Sequence, residues 1–363
     1  MNLYITNLIL FFAATISFII VFSSIPTILR VARTKNLFDE PNKRNVHKTR
    51  IPTLGGLAIF IGFLFSYTFI IDWFGLGRIP FMVSSLLIIF GIGIKDDILI
   101  TAPVVKLLGQ ILAAIIIVGI GDIRITDFHG FFGLKPDYFF SICFTILLFT
   151  FITNGFNLID GIDGLAAIIG IITVTAFSFW FYINQQIEVP IMAAALIGSL
   201  IAFIYYNVFS KRQKIFMGDT GSLLIGFIIT LIAVKFMELN ILPNNLPYSM
   251  NSAPAVAIAI LIVPIIDTLR VFFLRLAQGK SPFTADKNHI HHRMLSLGYS
   301  HLRISLTIGF VNIGFVILAY SLRNIGMLKL TMIILVLGFM FASLPSFLIW
   351  KKKRQLKKTG LNQ

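Results

Sequence analysis

Long apolar runs recur along this chain, separated by short polar stretches, and no other feature constrains its fold so tightly. Eleven runs fall at about residues 3–29, 55–71, 79–94, 103–120, 138–153, 165–183, 189–206, 221–237, 254–274, 304–321 and 329–350. A helix that crosses a bilayer core needs roughly 20 predominantly apolar residues, and in lipid its backbone must satisfy its own polar groups. The expectation is an all-α, polytopic membrane helix bundle of about eleven transmembrane helices. Residues 1–350 would form one transmembrane domain, and 351–363 a basic cytoplasmic tail. Composition agrees: 12% of residues are charged and 57% hydrophobic, whereas soluble domains carry about 25% charged residues. A single soluble core is excluded. The first run is too long for a signal-peptide core, and Met1–Asn7 carries no Lys or Arg ahead of it, so it reads as a retained span.

The basic residues give the bundle a direction. If loops alternate sides from the first helix, one side receives 24 of the 30 Lys and Arg residues and the other six, with Lys235 counted in the minority. The rich side holds the loop Arg30–Arg50, Lys95, Lys106, Lys211, Arg212, Lys214, the stretch Arg270–Arg303 and the KKKRQLKK tail. Basic residues concentrate in cytoplasmic loops, so the N-terminus is expected outside and the C-terminus in the cytoplasm. The net charge of +15 is spread through short loops rather than gathered in one basic patch, so no nucleic-acid partner is expected. The lone Cys143 lies in an apolar run, permits no internal disulfide and reads as a packing residue. Gly and Pro do not recur at matching positions in two halves, which counts against a secondary transporter.

The loops on the basic side carry more than orienting charge. They contain HKTRIPTLGG (His47–Gly56), Lys95-Asp96-Asp97, NGFNLIDGIDG (Asn154–Gly164), KIFMGDTGS (Lys214–Ser222) and GKSPFTADKNHIHH (Gly279–His292). The other side holds only scattered acids (Asp72, Asp122, Asp127, Asp137, Glu188 and Glu238). Asp96 and Asp97 are adjacent, Asp160 and Asp163 stand one helical turn apart, and Asp219 lies in a turn that enters a helix. Any one of them is as readily a helix cap. Five on one face would repel each other and need a counter-charge. Such hard oxygen donors suit Mg²⁺, with Mn²⁺ as an alternative, because Mg²⁺ binds through one or two carboxylates plus substrate phosphates.

His289, His291 and His292 fall within four residues, beside Lys287 and Arg293, a cluster suited to holding a diphosphate or handling protons. Their close spacing and the lack of nearby Cys argue against zinc. Asp267 and Arg270, three residues apart, read as a local pair at a helix end as readily as catalytic groups. A transporter or ion channel would set its acids near the bilayer midplane and spread its motifs over both sides. These acids lie at helix ends on one side.

In this order and on one face, the DD pair, NLIDGIDGL, FMGDTGSL and SPFTADKNHIHH resemble the polyprenyl-phosphate N-acetylhexosaminyl-1-phosphate transferases of glycosyltransferase family 4, from about His47 to Arg293. The sequence looks closest to the branch acting with UDP-GlcNAc on undecaprenyl phosphate. The phospho-MurNAc-pentapeptide transferase branch is more distant.

The resemblance implies a Mg-dependent enzyme of the bacterial inner membrane with its site facing the cytoplasm. It would join UDP-N-acetylhexosamine to polyprenyl phosphate, release UMP, and begin lipid-linked cell-envelope glycan synthesis such as that of lipopolysaccharide or O-antigen. A homodimer is compatible with it. By the same resemblance Asp219 is a metal ligand and Asn157 a second oxygen donor, while Asp96, with Asp97 beside it, positions or deprotonates the lipid phosphate. Asp160 and Asp163 are the nucleotide-side and metal-side acids. His289, His291 and His292 hold the diphosphate with Arg293, and Lys48, Asn207 and Phe216 lie near the uridine.

Overall fold

The computed structural model describes residues 3–35, 37, 51–75, 80–99, 101–130, 135–241, 246–279 and 288–358. Among these, each of the eleven expected spans is helical. In chain order the elements are α1 (Leu3–Thr34), α2 (Gly55–Trp73), α3 (Pro80–Leu99), α4 (Pro103–Ile115), α5 (Tyr138–Ile159), α6 (Leu165–Ile183) and α7 (Glu188–Ile204). They continue with α8 (Gly218–Leu239), α9 (Ala253–Ile260), α10 (Ile262–Ala277), α11 (Ile290–Ser296), α12 (His301–Ser321) and α13 (Met327–Lys358). α4 and α7 each end in a wider π-turn, Ile116–Ile120 and Tyr205–Phe209. Nine of the described helices are long and apolar enough to cross a membrane, and α9 with α10 makes a tenth if that bent pair is one span. α3 has the length, at 20 residues, but ends in Lys95, Asp96 and Asp97.

The expected ninth span, 254–274, needs a correction: it is not one straight helix. The chain turns by 77° between α9 and α10. Pro264 explains the break, because proline has no N–H to give the carbonyl four residues earlier. That carbonyl, on Ile260, accepts instead from Asn312 Nδ2 of α12 at 3.1 Å. A side chain therefore satisfies a backbone group freed within the bundle, as a low-dielectric interior requires.

α8 forms the axis of the bundle. Of its most apolar window 83% is buried, against 28% for α1 and 22% for α13. It packs on α2, α3, α5 and α6. Two glycines let neighbours close on its first turn: a Cβ at Gly56 would lie 2.1 Å from the Gly221 nitrogen, and one at Gly93 2.5 Å from the Thr220 Cα. This close approach fixes where the α8 N-terminus sits, and Asp219 with it.

Candidate functional site

The site is built around the N-terminus of α8, where free backbone N–H groups favour negative charge. Gly218 enters the helix at φ +72°, and a Cβ there would lie 2.5 Å from Asp97 Oδ1 and 2.2 Å from the Thr53 carbonyl, so the turn requires glycine. Asp97 accepts from the Asp219 N–H at 2.7 Å, the Thr220 N–H at 3.1 Å and the Thr220 hydroxyl at 2.5 Å. Its carboxylate thus caps α8 from the end of α3 and holds Asp219 in place.

Lys106, near the start of α4, joins two of the acids. Its ammonium lies 2.6 Å from Asp96 Oδ2 and 2.5 Å from Asp219 Oδ2. The other Asp96 oxygen accepts from the Thr101 N–H and hydroxyl, both at 2.7 Å. Asn157 Nδ2, from α5, donates to Asp219 Oδ1 at 2.9 Å and to the Ser222 hydroxyl at 3.0 Å. Asn157 thereby steers the Asp219 carboxylate through its amide nitrogen.

The Asp160–Gly164 turn adds two more acids. Asp163 accepts from Lys214 at 2.6 Å and lies 3.1 Å from His301 Nδ1. Burial pushes its carboxyl up, but these two partners outweigh burial and hold it below the usual carboxylate range. Asp160 stands differently: among the described residues its side chain makes no hydrogen bond. Burial, then the charges of Asp219, Asp97 and Asp163, raise its carboxyl well above the usual range. Five carboxylates thus cluster here: Asp96 and Asp219 pair with Lys106 and Asp163 with Lys214 and His301, while Asp97 caps α8 and Asp160 has no cation of its own among the described residues.

No group of three or more His, Cys, Asp or Glu among the described residues forms a ready metal cage. The donor set nonetheless fits Mg²⁺ that arrives with phosphates. It offers hard carboxylate oxygens, among them those of Asp160, half-buried beside like charges and without a side-chain hydrogen bond among the described residues.

The histidine motif docks on the same turn. Asp267 on α10 lies 2.9 Å from His289 Nδ1 and accepts from the Ile290 N–H at 2.8 Å. Arg270 donates to the Asn288 carbonyl at 2.6 Å and to the Ser346 hydroxyl on α13 at 2.7 Å. The reading of Asp267 and Arg270 as a pair with each other is therefore corrected: each reaches across to hold residues 288–290. His289, His291 and His292 group together, with ring centroids 5.7 Å (His289–His291) and 4.3 Å (His291–His292) apart. His291 Nε2 faces Gly161, where a Cβ would come within 2.3 Å. Burial pushes the His291 imidazole down to about 3. Arg293 donates to Asn288 Oδ1.

Asn207 and Phe216 shape the adjoining loop. The buried Asn207 accepts from the Gly164 N–H at 2.7 Å and donates to the Ile215 carbonyl at 2.8 Å, so both ends of its amide clamp backbone. Phe216 N–H donates to the Pro52 carbonyl at 2.8 Å and its carbonyl accepts from the Gly55 N–H at 2.9 Å. Lys214 lies 5.8 Å above the Phe216 ring. Lys48, expected near the uridine, and the loop 280–287 lie outside the described residues. Lys106, Lys214 and His301 are the participants that residue patterns did not single out. The one signal for the first two was the need of five acids for counter-charge.

A membrane-spanning bundle with a carboxylate-rich centre at its helix ends is the class these features define. The chain belongs to glycosyl transferase family 4, whose model matches residues 79–237, from α3 to α8. It is 32% identical over 289 residues to a decaprenyl-phosphate N-acetylglucosaminephosphotransferase of Mycobacterium leprae (strain TN), covering 74% of this chain and 72% of the relative. It is 28% identical over 278 residues to the undecaprenyl-phosphate alpha-N-acetylglucosaminyl 1-phosphate transferase of Escherichia coli (strain K12), covering 75% and 72%. A relative in Bacillus subtilis (strain 168), named "Probable undecaprenyl-phosphate N-acetylglucosaminyl 1-phosphate transferase", is 32% identical over 327 residues, covering 86% and 84%. The family and branch that the motifs resemble are thereby borne out.

Proposed function

We propose that this protein transfers N-acetylglucosamine 1-phosphate from UDP-GlcNAc to a polyprenyl phosphate in the bacterial inner membrane, releasing UMP on the cytoplasmic side. The clustering of five carboxylates at helix ends of a membrane bundle, with Lys106 and Lys214 paired to three of them, carries this reading. A lipid phosphate is fixed at the membrane boundary and a nucleotide sugar comes from water, so the two can meet only where helix ends face solvent. The names of the relatives supply the sugar and the lipid class.

In the proposed reaction an oxygen of the lipid phosphate attacks the β-phosphorus of UDP-GlcNAc. The new P–O bond makes a polyprenyl-diphospho-sugar, and the bond to the bridging oxygen breaks so that UMP leaves with the α-phosphate. The acceptor phosphate is already ionised at neutral pH, so the demands on the protein are positioning and charge neutralisation. Lys106 sits between Asp96 and Asp219, where it can meet the lipid phosphate. Asp97 holds the α8 N-terminus and Asp219 in register. His289, His291, His292 and Arg293 offer donors to the diphosphate, and Phe216 offers a face to the uracil, with Lys48 beside it by family resemblance.

Mg²⁺ would be held by Asp219 and Asp160, with Asp163 nearby, and would supply charge neutralisation of the diphosphate. Asn157 and Lys106 orient Asp219 toward that place.

The test is UMP release by the purified full-length protein given polyprenyl phosphate, Mg²⁺ and a panel of UDP-sugars. UDP-GlcNAc is expected to turn over fastest, and chelation should stop the reaction. Absence of turnover with every UDP-N-acetylhexosamine overturns the reading, and preference for UDP-MurNAc-pentapeptide moves the chain to the other branch.

A further inference from the structure

One turn below the acids, inside the bundle, lies a pair of amides that the proposed reaction does not use. Gln110 Oε1 on α4 accepts from Asn154 Nδ2 on α5 at 2.8 Å, and Gln110 Nε2 donates back to Asn154 Oδ1 at 3.3 Å. Asn154 Nδ2 also donates to the Thr150 carbonyl at 2.8 Å. Gln110 is only 1% exposed. It lies seven residues into α4, roughly 10 Å along the axis at 1.5 Å per residue. Polar side chains at that depth are costly unless satisfied, and here each amide satisfies the other.

The position of the pair matters as much as its bonding. Lys106 precedes Gln110 by four residues on α4, and Asn157 follows Asn154 by three on α5. On a helix these spacings share a face. The amide pair therefore lies directly beneath the contacts by which Lys106 and Asn157 grip Asp219 from two sides.

The outer side of α4 faces away from the bundle. Val104, Leu108, Leu112 and Ile115 are exposed on its surface, and only 33% of its most apolar window is buried. Its inner side packs on α3 as well as on α5, and Gly109 meets Ile92 of α3 so tightly that a Cβ would clash at 1.7 Å. Apolar helix surfaces in lipid have no hydrophobic drive toward one register, because lipid tails are equally apolar. A reciprocal amide pair is directional and fixes both height and rotation.

We infer that Gln110 and Asn154 are positioning residues that set the register of α4 against α5, and so hold the Lys106 ammonium between Asp96 and Asp219. This inference rests on the reading of that centre as the reaction site.

The experiment compares wild type, the double variant Gln110→Leu/Asn154→Leu and the exchanged variant Gln110→Asn/Asn154→Gln, all full-length and purified. Replacing both partners with apolar groups is nearly neutral for folding, so the double Leu variant should melt within a few degrees of wild type. Its kcat for UMP release should fall about tenfold or more, because small displacements of catalytic groups are costly, while the KM for UDP-GlcNAc stays within about twofold. Hydrogen exchange of the α4 amides should quicken in that variant. The exchanged variant keeps the total side-chain length and should recover most of both kcat and protection. Unchanged α4 protection in the double Leu variant, or an exchanged variant no better than it, overturns the inference. A wild type that shows the expected exchange pattern yet releases no UMP would instead overturn the donor assignment alone.

Discussion

The two ends of the bundle use the same residue types and do opposite things with them. At the far end, four acids each have a partner of their own. Glu188 pairs with Lys235 at 2.9 Å and accepts from the Tyr67 hydroxyl at 3.3 Å. Glu238 takes the Thr126 N–H and hydroxyl, both at 2.7 Å, Asp122 pairs with Arg124 at 2.8 Å, and Asp137 caps α5. Around the α8 N-terminus five acids cluster, of which only Asp96, Asp163 and Asp219 pair with Lys106, Lys214 or His301, and Asp160 has no side-chain hydrogen bond among the described residues. Balanced charge is what a helix bundle needs in order to stand. Unbalanced negative charge destabilises the bundle alone, and makes physical sense where a cation and phosphates complete it.

The comparison breaks first on Asp219. Asp219→Asn should lower UMP release on the order of 10³-fold, the scale of losing a group that organises transition-state charge. Membrane insertion and yield should match wild type, since no apolar surface changes. Near-normal turnover would remove Asp219 from the site.

The far end should respond the other way. Glu188→Gln leaves Lys235 without its anion and should cost about 1 kcal/mol of stability, given that both side chains are partly exposed. That loss reads as a melting temperature a few degrees lower, while kcat and KM stay within about twofold. A large fall in kcat with unchanged melting would mean that the far end also takes part in the reaction.

A smaller effect concerns pH. The His291 imidazole is held down to about 3 by burial. The unfolded chain therefore takes up a proton near the ordinary value of about 6.5, while the folded chain does not. The neutral imidazole costs nothing above that range, and stability declines as pH falls from it toward 3. In His291→Gln this part of the acid decline should disappear from melting curves, and an unaltered pH profile would mean that the ring is accessible to protons.

Much of this was visible in the sequence because it depends on residue type alone. Apolar length marked the spans, and DD, NLIDGIDG, MGDTG and HIHH marked the chemistry before any geometry was known. What stayed hidden depends on partners far away in the chain. The sequence shows Pro264 but not the 77° bend, nor that Asn312 of α12 donates to the Ile260 carbonyl left free there. Asp267 looks like a partner for Arg270 three residues on, but the fold brings His289 to it. Asn207 carries a motif-like position, yet its buried amide is spent on Gly164 and Ile215. Lys214 and His301 sit among many loop cations, and only the folded turn selects them for Asp163.

The central claim is that the acids around α8 are kept for chemistry at some cost to the bundle, and Asp160→Asn tests it most directly. Turnover and melting temperature would be measured on the same purified sample without added Mg²⁺ for melting and with it for turnover. UMP release is expected to fall by on the order of 10²-fold or more, while the melting temperature holds or rises because a carboxyl crowded by like charges is replaced by a neutral amide. A variant that melts several degrees lower and still turns over normally would contradict the claim.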